Sequence, residues 1–396
     1  MIPRRIDLNV ITQSVAVAMV FALFLPTAIS NIVLVFLLIS YGISGSYREK
    51  WLRIRGNSVA VSSLSLFVIF VIGTIYSSSG LDEAFKFVKM YQELLLLPIM
   101  ISVWDTETWR RRAYWTLFVA IGLGLIVSFS MYWGWLPTYK PGEEWVPFKG
   151  RIAWGFFLAF AVYMMVHHAV LATTPKQKWL WSIFAVFASV DLLFLISGRT
   201  GHIVFLAMLA LLLFQYRNSL KKYWLLVLLA VSTIGSAVVL TSPAINSRAN
   251  DIELAKTDPE SSSVGLRLIY CQTSLRIIAD HPLFGAGTGS FANEFLTHAN
   301  EHAELKADNP HNEYLLIASQ LGLVGLSAFI WLLYCQFQLA KQLPERYGLA
   351  AQGLVVAMAV GCLFNSFLRD HSEGHFYAIY GGLLFSAFSS RQKKAS

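Results

Sequence analysis

The stretch Asp308-Asn309-Pro310-His311-Asn312-Glu313-Tyr314 runs directly into a long apolar segment and places polar residues at its mouth. Asp308 or Asn309 suits an N-cap and Pro310 a first helical position. His311 and Asn312 would then lie among backbone N–H groups with no intrahelical partner, at the positive end of the helix dipole. Such a place holds an anion and keeps an imidazole neutral; equally, the same residues can simply cap a helix. Arg199, in Ser197-Gly198-Arg199-Thr200-Gly201, is a cation between two glycines that would let backbone approach a ligand; otherwise it is an arginine reaching to a membrane interface. Asp191, two turns earlier, is an intramembrane carboxylate that would seek a cation, and Glu93 is a weaker case of the same kind. Lys86, Lys89, Lys149 and Arg151 would line an anionic site or meet lipid phosphates, while His167 and His168 fall at the opposite end of their segment. His298-Ala-Asn-Glu301-His302 matches the H-x-x-E-H zinc pattern, in which a helix would put both histidines on one face, although its surroundings are polar and no third ligand stands nearby.

The elements that must carry these residues are membrane helices. The chain has 396 residues, 56% hydrophobic and only 14% charged, where a soluble domain has roughly 25% charged. Apolar runs recur at 9–28, 31–46, 57–77, 87–104, 113–133, 152–172, 179–197, 201–216, 223–242, 314–340, 350–368 and 374–389, predicting an all-α integral membrane protein of about twelve spans. Basic residues cluster in alternate connections, around Arg4, Arg53, Arg111, Lys178, Lys221, Arg346 and Lys393, which puts those connections and both termini in the cytoplasm. The net charge of +8 is scattered in this way and is no nucleic-acid signal. The first run lacks a cleavage site and reads as a retained span. Three cysteines are too few for a disulfide framework.

The chain thus divides into helices one to nine (1–241), an external loop (242–313), and helices ten to twelve with a tail (314–396). The loop is the longest non-membrane segment and the natural seat of function. Within it, 262–278 has a Ser start and helical spacing and stops at Asp280-His281-Pro282, predicting that Leu266, Ile269, Leu275 and Ile278 pack down or into the membrane interface and leave Arg267, Gln272 and Arg276 elsewhere on the helix surface. Phe284-Gly-Ala-Gly-Thr-Gly-Ser290 lacks the strand of a dinucleotide box and reads as a tight turn.

Taken together, Ser197–Gly201, Gly265-Leu266-Arg267 leading to 281–289, and Pro310–Leu315 followed by Gly322 and Gly325 resemble the O-antigen ligase family, in order, spacing and shared external face. One departure is Tyr270-Cys271, where relatives often carry Trp. The resemblance implies a GT-C-like glycosyltransferase of the bacterial inner membrane, working at its periplasmic face without metal or other cofactor. Its donor would be an O-antigen on undecaprenyl diphosphate, its acceptor a lipid A–core sugar, with membrane lipids around it. Arg199, Arg267 and His311 match the family's essential residues; Asn312, Tyr314, Lys86, Lys89, Arg151 and Arg276 are expected to contact substrate. Arginine forks suit a departing diphosphate and a neutral histidine suits removal of the acceptor proton, with Asn312 positioning it. A polymerase or a protein O-oligosaccharyltransferase of the same superfamily would use the same groups on another acceptor. A transporter would instead predict charges deep in several spans and an internal repeat.

Overall fold

The computed structural model of the protein describes residues 7–138, 145–221, 251 and 253–388. These residues are all-helical, with no strand among them. The helices are α1 (Leu8–Ala22), α2 (Thr27–Ile43), α3 (Tyr47–Arg55), α4 (Ser58–Ile72), α5 (Gly80–Met90), α6 (Glu93–Val103), α7 (Glu107–Tyr132), α8 (Arg151–Leu171), α9 (Pro175–Val190), α10 (Arg199–Gln215), α11 (Arg217–Leu220), α12 (Ser263–Asp280), α13 (Phe291–His298), α14 (Glu313–Ala340), α15 (Glu345–Gly361) and α16 (His371–Phe385).

Helix length qualifies the count of twelve spans. Among the described residues four helices are long and apolar enough to cross a membrane: α7, α8, α9 with its extension to Leu195, and α14. The pair α2 and α3, bent by 111°, makes a fifth at most. Helices α1, α4 and α10 are apolar but shorter. The segment 87–104, expected as one span, is two helices broken at Tyr91–Gln92, and the expected span 223–242 lies outside the described residues.

Helix α8 sits at the centre. It is apolar around its whole circumference, and residues Ala153 to Met165 are all buried, as expected of a helix enclosed by others. Phe156, Phe157 and Phe160 meet Phe376 of α16 edge-on or tilted at ring distances of 5.0–5.8 Å. A Cβ on Gly201 of α10 would lie 2.8 Å from the Gly155 Cα, so the two backbones touch, the close approach that small residues permit between membrane helices. The outer helices turn large apolar side chains outward, among them Ile32, Phe36, Trp179 and Val186, a surface that only lipid or protein can cover.

Helix α14 is interrupted. Gly322 takes φ 61°, ψ −157° and opens the hydrogen-bond ladder. The groups it frees are taken up by the 282–287 turn: Ser319 and Gln320 carbonyls accept from Ala286 and Gly287 N–H (3.0 and 2.8 Å), and Leu323 and Val324 N–H donate to Pro282 and Leu283 carbonyls (2.9 and 3.2 Å). The expected tight turn is present and has this work: non-helical backbone in an apolar setting must be satisfied by protein. Gly287, at φ 97°, could not carry a side chain, since its Cβ would lie 2.3 Å from the Ser77 Cα. The break lies level with the end of α4, where Gly73 would contact Leu321 and its carbonyl accepts from Thr288 N–H. From Leu323 to Ala340 the helix rises about 27 Å, close to a hydrocarbon thickness.

Candidate functional site

The first arginine is aimed by a change of helix type. Helix α9 ends in a π-helical turn, Asp191–Leu195, then Ile196–Gly198 are extended and α10 begins at Arg199. The flanking glycines serve the protein rather than a ligand, correcting the expectation: a Cβ on Gly198 would lie 2.8 Å from the Arg151 carbonyl oxygen, and Gly201 abuts Gly155. An Arg199 Nη donates to Asp251 Oδ2 at 3.2 Å and to Ser263 Oγ at 3.3 Å. Burial opposes ionisation of Asp251, but the Ser262 hydroxyl, the Ser263 N–H and Arg199 together hold its carboxyl below the usual range.

The second arginine is carried by α12. Ser262 caps this helix by accepting from Gly265 N–H, and Ile269, Thr273 and Ile277 bury one side of it. Leu275, expected to pack down or into the membrane interface, is 55% exposed, because the buried stripe runs at four-residue steps that miss it. Ser263, Arg267 and Tyr270 fall at i, i+4 and i+7 and share another stripe. Ser263 touches Arg199. Burial, and then the charge of Arg199, lower the Arg267 pKa from its ordinary value, so the two guanidinium groups repel each other. The Tyr270 ring centre lies 6.1 Å from that of His311. From Ser263 to Tyr270 the helix rises about 10 Å, so one helix face strings Arg199, Arg267 and His311 in line.

His311 lies before its helix rather than in it. Helix α14 starts at Glu313 and its N-cap is Asn312, whose side chain accepts from Leu315 N–H and donates to the Leu363 carbonyl. Asn309, expected as a cap, accepts His311 N–H (2.9 Å) and the Ser366 hydroxyl (2.7 Å). This turn holds His311 at φ 52°. Its Nδ1 meets Asn365 Oδ1 at 3.3 Å, and the Asn365 amide donates to Asp370 Oδ2 at 3.1 Å. Asn365 Oδ1 can only accept, so Nδ1 is the donor in that chain, and in a neutral ring Nε2 is then the acceptor. Burial raises the Asp370 pKa, while Arg369 and His311 oppose the rise. Arg369 also grips Asp308 at 2.7 Å.

The remaining expected contacts are dispersed. Tyr314 donates its hydroxyl to the Ala359 carbonyl (2.9 Å) and so ties α14 to α15. Arg151 donates to Ser197 Oγ at 3.3 Å, next to Arg199 in the chain. Arg276 donates to the His298 carbonyl at 3.0 Å. Lys86 pairs with Glu83, and both it and Lys89 are exposed on α5. Lys149 is buried; burial lowers its pKa and Glu373 opposes this.

The zinc pattern loses its premise: α13 ends at His298, Asn300 is left-handed at φ 54°, and a 3-10 turn follows. His298 meets Asp280 at 3.0 Å and His302 meets Glu260 at 2.7 Å, and no group of three or more metal-ligating side chains occurs among the described residues. Asp191, expected to seek a cation, is fully buried facing the Ser128 hydroxyl and the Trp154 indole. Glu93 lies 2.7 Å from His375 in the apolar core.

Sequence reasoning passed over Asp251, Asn365 and Asp370, and read Tyr270 only as a departure from relatives. Tyr270 alone had a signal, since its spacing from Arg267 puts both on one helical stripe.

Residues 184–330 match a family described as O-antigen ligase. The chain is also similar to an uncharacterized protein of Haemophilus influenzae, at 23% identity over 288 residues, covering 68% of this chain and 69% of that protein. The matched region contains Arg199, Arg267, Tyr270, His311 and Gly322.

Proposed function

We propose, from the match of residues 184–330 to the O-antigen ligase family, that this chain transfers an O-antigen glycan from undecaprenyl diphosphate to a hydroxyl of lipid A–core. The observation that carries the reading is the line Arg199–Arg267–Tyr270–His311 along α12. The acceptor oxygen attacks the anomeric carbon and its proton passes to His311 Nε2. The bond from that carbon to the diphosphate oxygen breaks, and the oxygen leaves with the electron pair. Arg199 and Arg267 meet the charge that grows there, which replaces their mutual repulsion with attraction. Attack opposite the leaving group inverts the anomeric centre. Asp251 holds Arg199 in place until the donor arrives, and Asn365 with Asp370 fixes the imidazole tautomer. The active site faces the periplasm in this reading, where both lipid-anchored substrates present their head groups.

The test is transfer by purified protein in proteoliposomes, from a lipid-diphosphate glycan to lipid A–core. Long-chain product on lipid A–core is expected, with activity retained under chelation and lost in His311→Ala. Arg199→Lys keeps the charge and loses the fork, so kcat/KM should fall by about tenfold or more. Glycan joined to a second lipid-linked glycan would identify a polymerase instead, and loss of activity on chelation would overturn the metal-free scheme.

A further inference from the structure

The end of the bundle opposite this site contains a cavity of about 340 Å³, where the ends of α7, α8, α9 and α15 meet. Its walls are aromatic. His168, Trp115 and Trp181 form a three-ring cluster, with His168 at ring distances of 4.9 and 4.8 Å from the two indoles and these 5.8 Å from each other, and Tyr114 Oη meets the His168 Nε2 at 2.9 Å. Two charges of opposite sign, Glu345 and Arg346, are exposed at the mouth. The Arg346 guanidinium lies 5.6 Å from the Trp115 ring centre, which keeps it over the cavity. The first turn of α15 also opens here, and the positive end of its dipole favours an anion. The same pair of helices, α7 and α9, continues away from the cavity as an apolar groove of about 420 Å³, lined by Gly122, Leu125, Ile126, Leu180, Ile183 and Phe184 among others.

A guanidinium, a carboxylate and aromatic faces around one cavity complement a headgroup that bears both a phosphate and an ammonium. The apolar groove beside it complements an acyl chain. We propose that this end of the protein holds one zwitterionic phospholipid, with its phosphate at Arg346, its ammonium at Glu345 and the aromatic walls, and a chain between α7 and α9. A purely anionic headgroup would meet Glu345 without compensation. A soluble headgroup would leave the groove unused.

Native mass spectrometry of the full-length, delipidated protein tests this without recourse to glycan transfer, so its failure is distinct from failure of the catalytic reading. With phosphatidylethanolamine and phosphatidylglycerol offered at equal concentration, one phosphatidylethanolamine should be retained in preference. Arg346→Ala should lower occupancy by either lipid about fivefold, and Glu345→Gln should erase the preference between them. Gly122→Leu, which fills the groove, should lower retention of both, while soluble glycerophosphoethanolamine should not compete. Thermal unfolding without lipid should be the same for wild type and the two exposed-residue variants. Preference for phosphatidylglycerol, occupancy unchanged in Arg346→Ala, or full competition by the soluble headgroup would each overturn the proposal.

Discussion

His311 is the residue on which most depends, and its setting differs from the one its neighbours in sequence suggest. Asn312 follows it but is occupied in capping α14, so the group that orients the imidazole is Asn365, brought from the α15–α16 connection and backed by Asp370. Nothing local at 311 could indicate a partner 54 positions later. Asn365→Ala should leave KM for both substrates nearly unchanged and lower kcat by about a hundredfold, the scale of a misoriented catalytic group, as read from steady-state transfer kinetics. Asp370 supplies a pH signature. Its carboxyl titrates above the ordinary range because it is buried. Its contribution to stability is therefore present below the unfolded pKa and lost as pH rises through the raised value. Asp370→Asn should remove that loss. Its melting temperature above neutral pH should exceed that of wild type, while transfer slows because the chain to His311 is weakened; thermal unfolding across pH beside the rate measurement checks both halves.

Among the elements, α12 was the most legible. Its Ser262 cap and its end before Pro282 were both readable, since capping chemistry and proline act over a few residues. Which side faces inward was only half readable: Ile269 is buried and Leu275 is not, because the stripe is chosen by what the helix docks against. The start of α14 was misplaced for a related reason. Asp308, Asn309 and Asn312 can all cap, and tertiary bonds from Ser366 and Leu363 decide among them. The glycine turn belongs to this scale as well. Gly287→Ala should destabilise the protein by about 2–5 kcal/mol, summing left-handed strain and overpacking against Ser77, with a lowered melting temperature in detergent as the measurement.

At the scale of the whole molecule, composition identified a helical membrane protein and the alternation of charge gave an orientation. Helix count was less legible, because hydropathy sums over breaks. The run at 87–104 is apolar enough for one span and yet holds an amphipathic α5 and a separate α6. In α14 the sum passes straight through the bend at Gly322. The orientation makes a direct prediction. With the half-exposed Cys271 first replaced by serine, in intact cells with a permeabilised outer membrane Glu304→Cys should react with an impermeant thiol reagent, and Arg48→Cys only after the inner membrane is opened; the reverse pattern would invert the topology.

The interruption of α14 also bears on how the protein is made. The four backbone groups around Gly322 are bonded by residues 282 to 287, which leave the ribosome before α14 does. A helix arriving in the bilayer cannot adopt this bend alone, since it would present bare amide and carbonyl groups to hydrocarbon. The preceding turn must be in place for the bend to form. The bend and the turn are therefore expected to form as one unit. Substitutions in the 282–289 turn should accordingly lower the amount of protein in the membrane more than the specific activity of what remains.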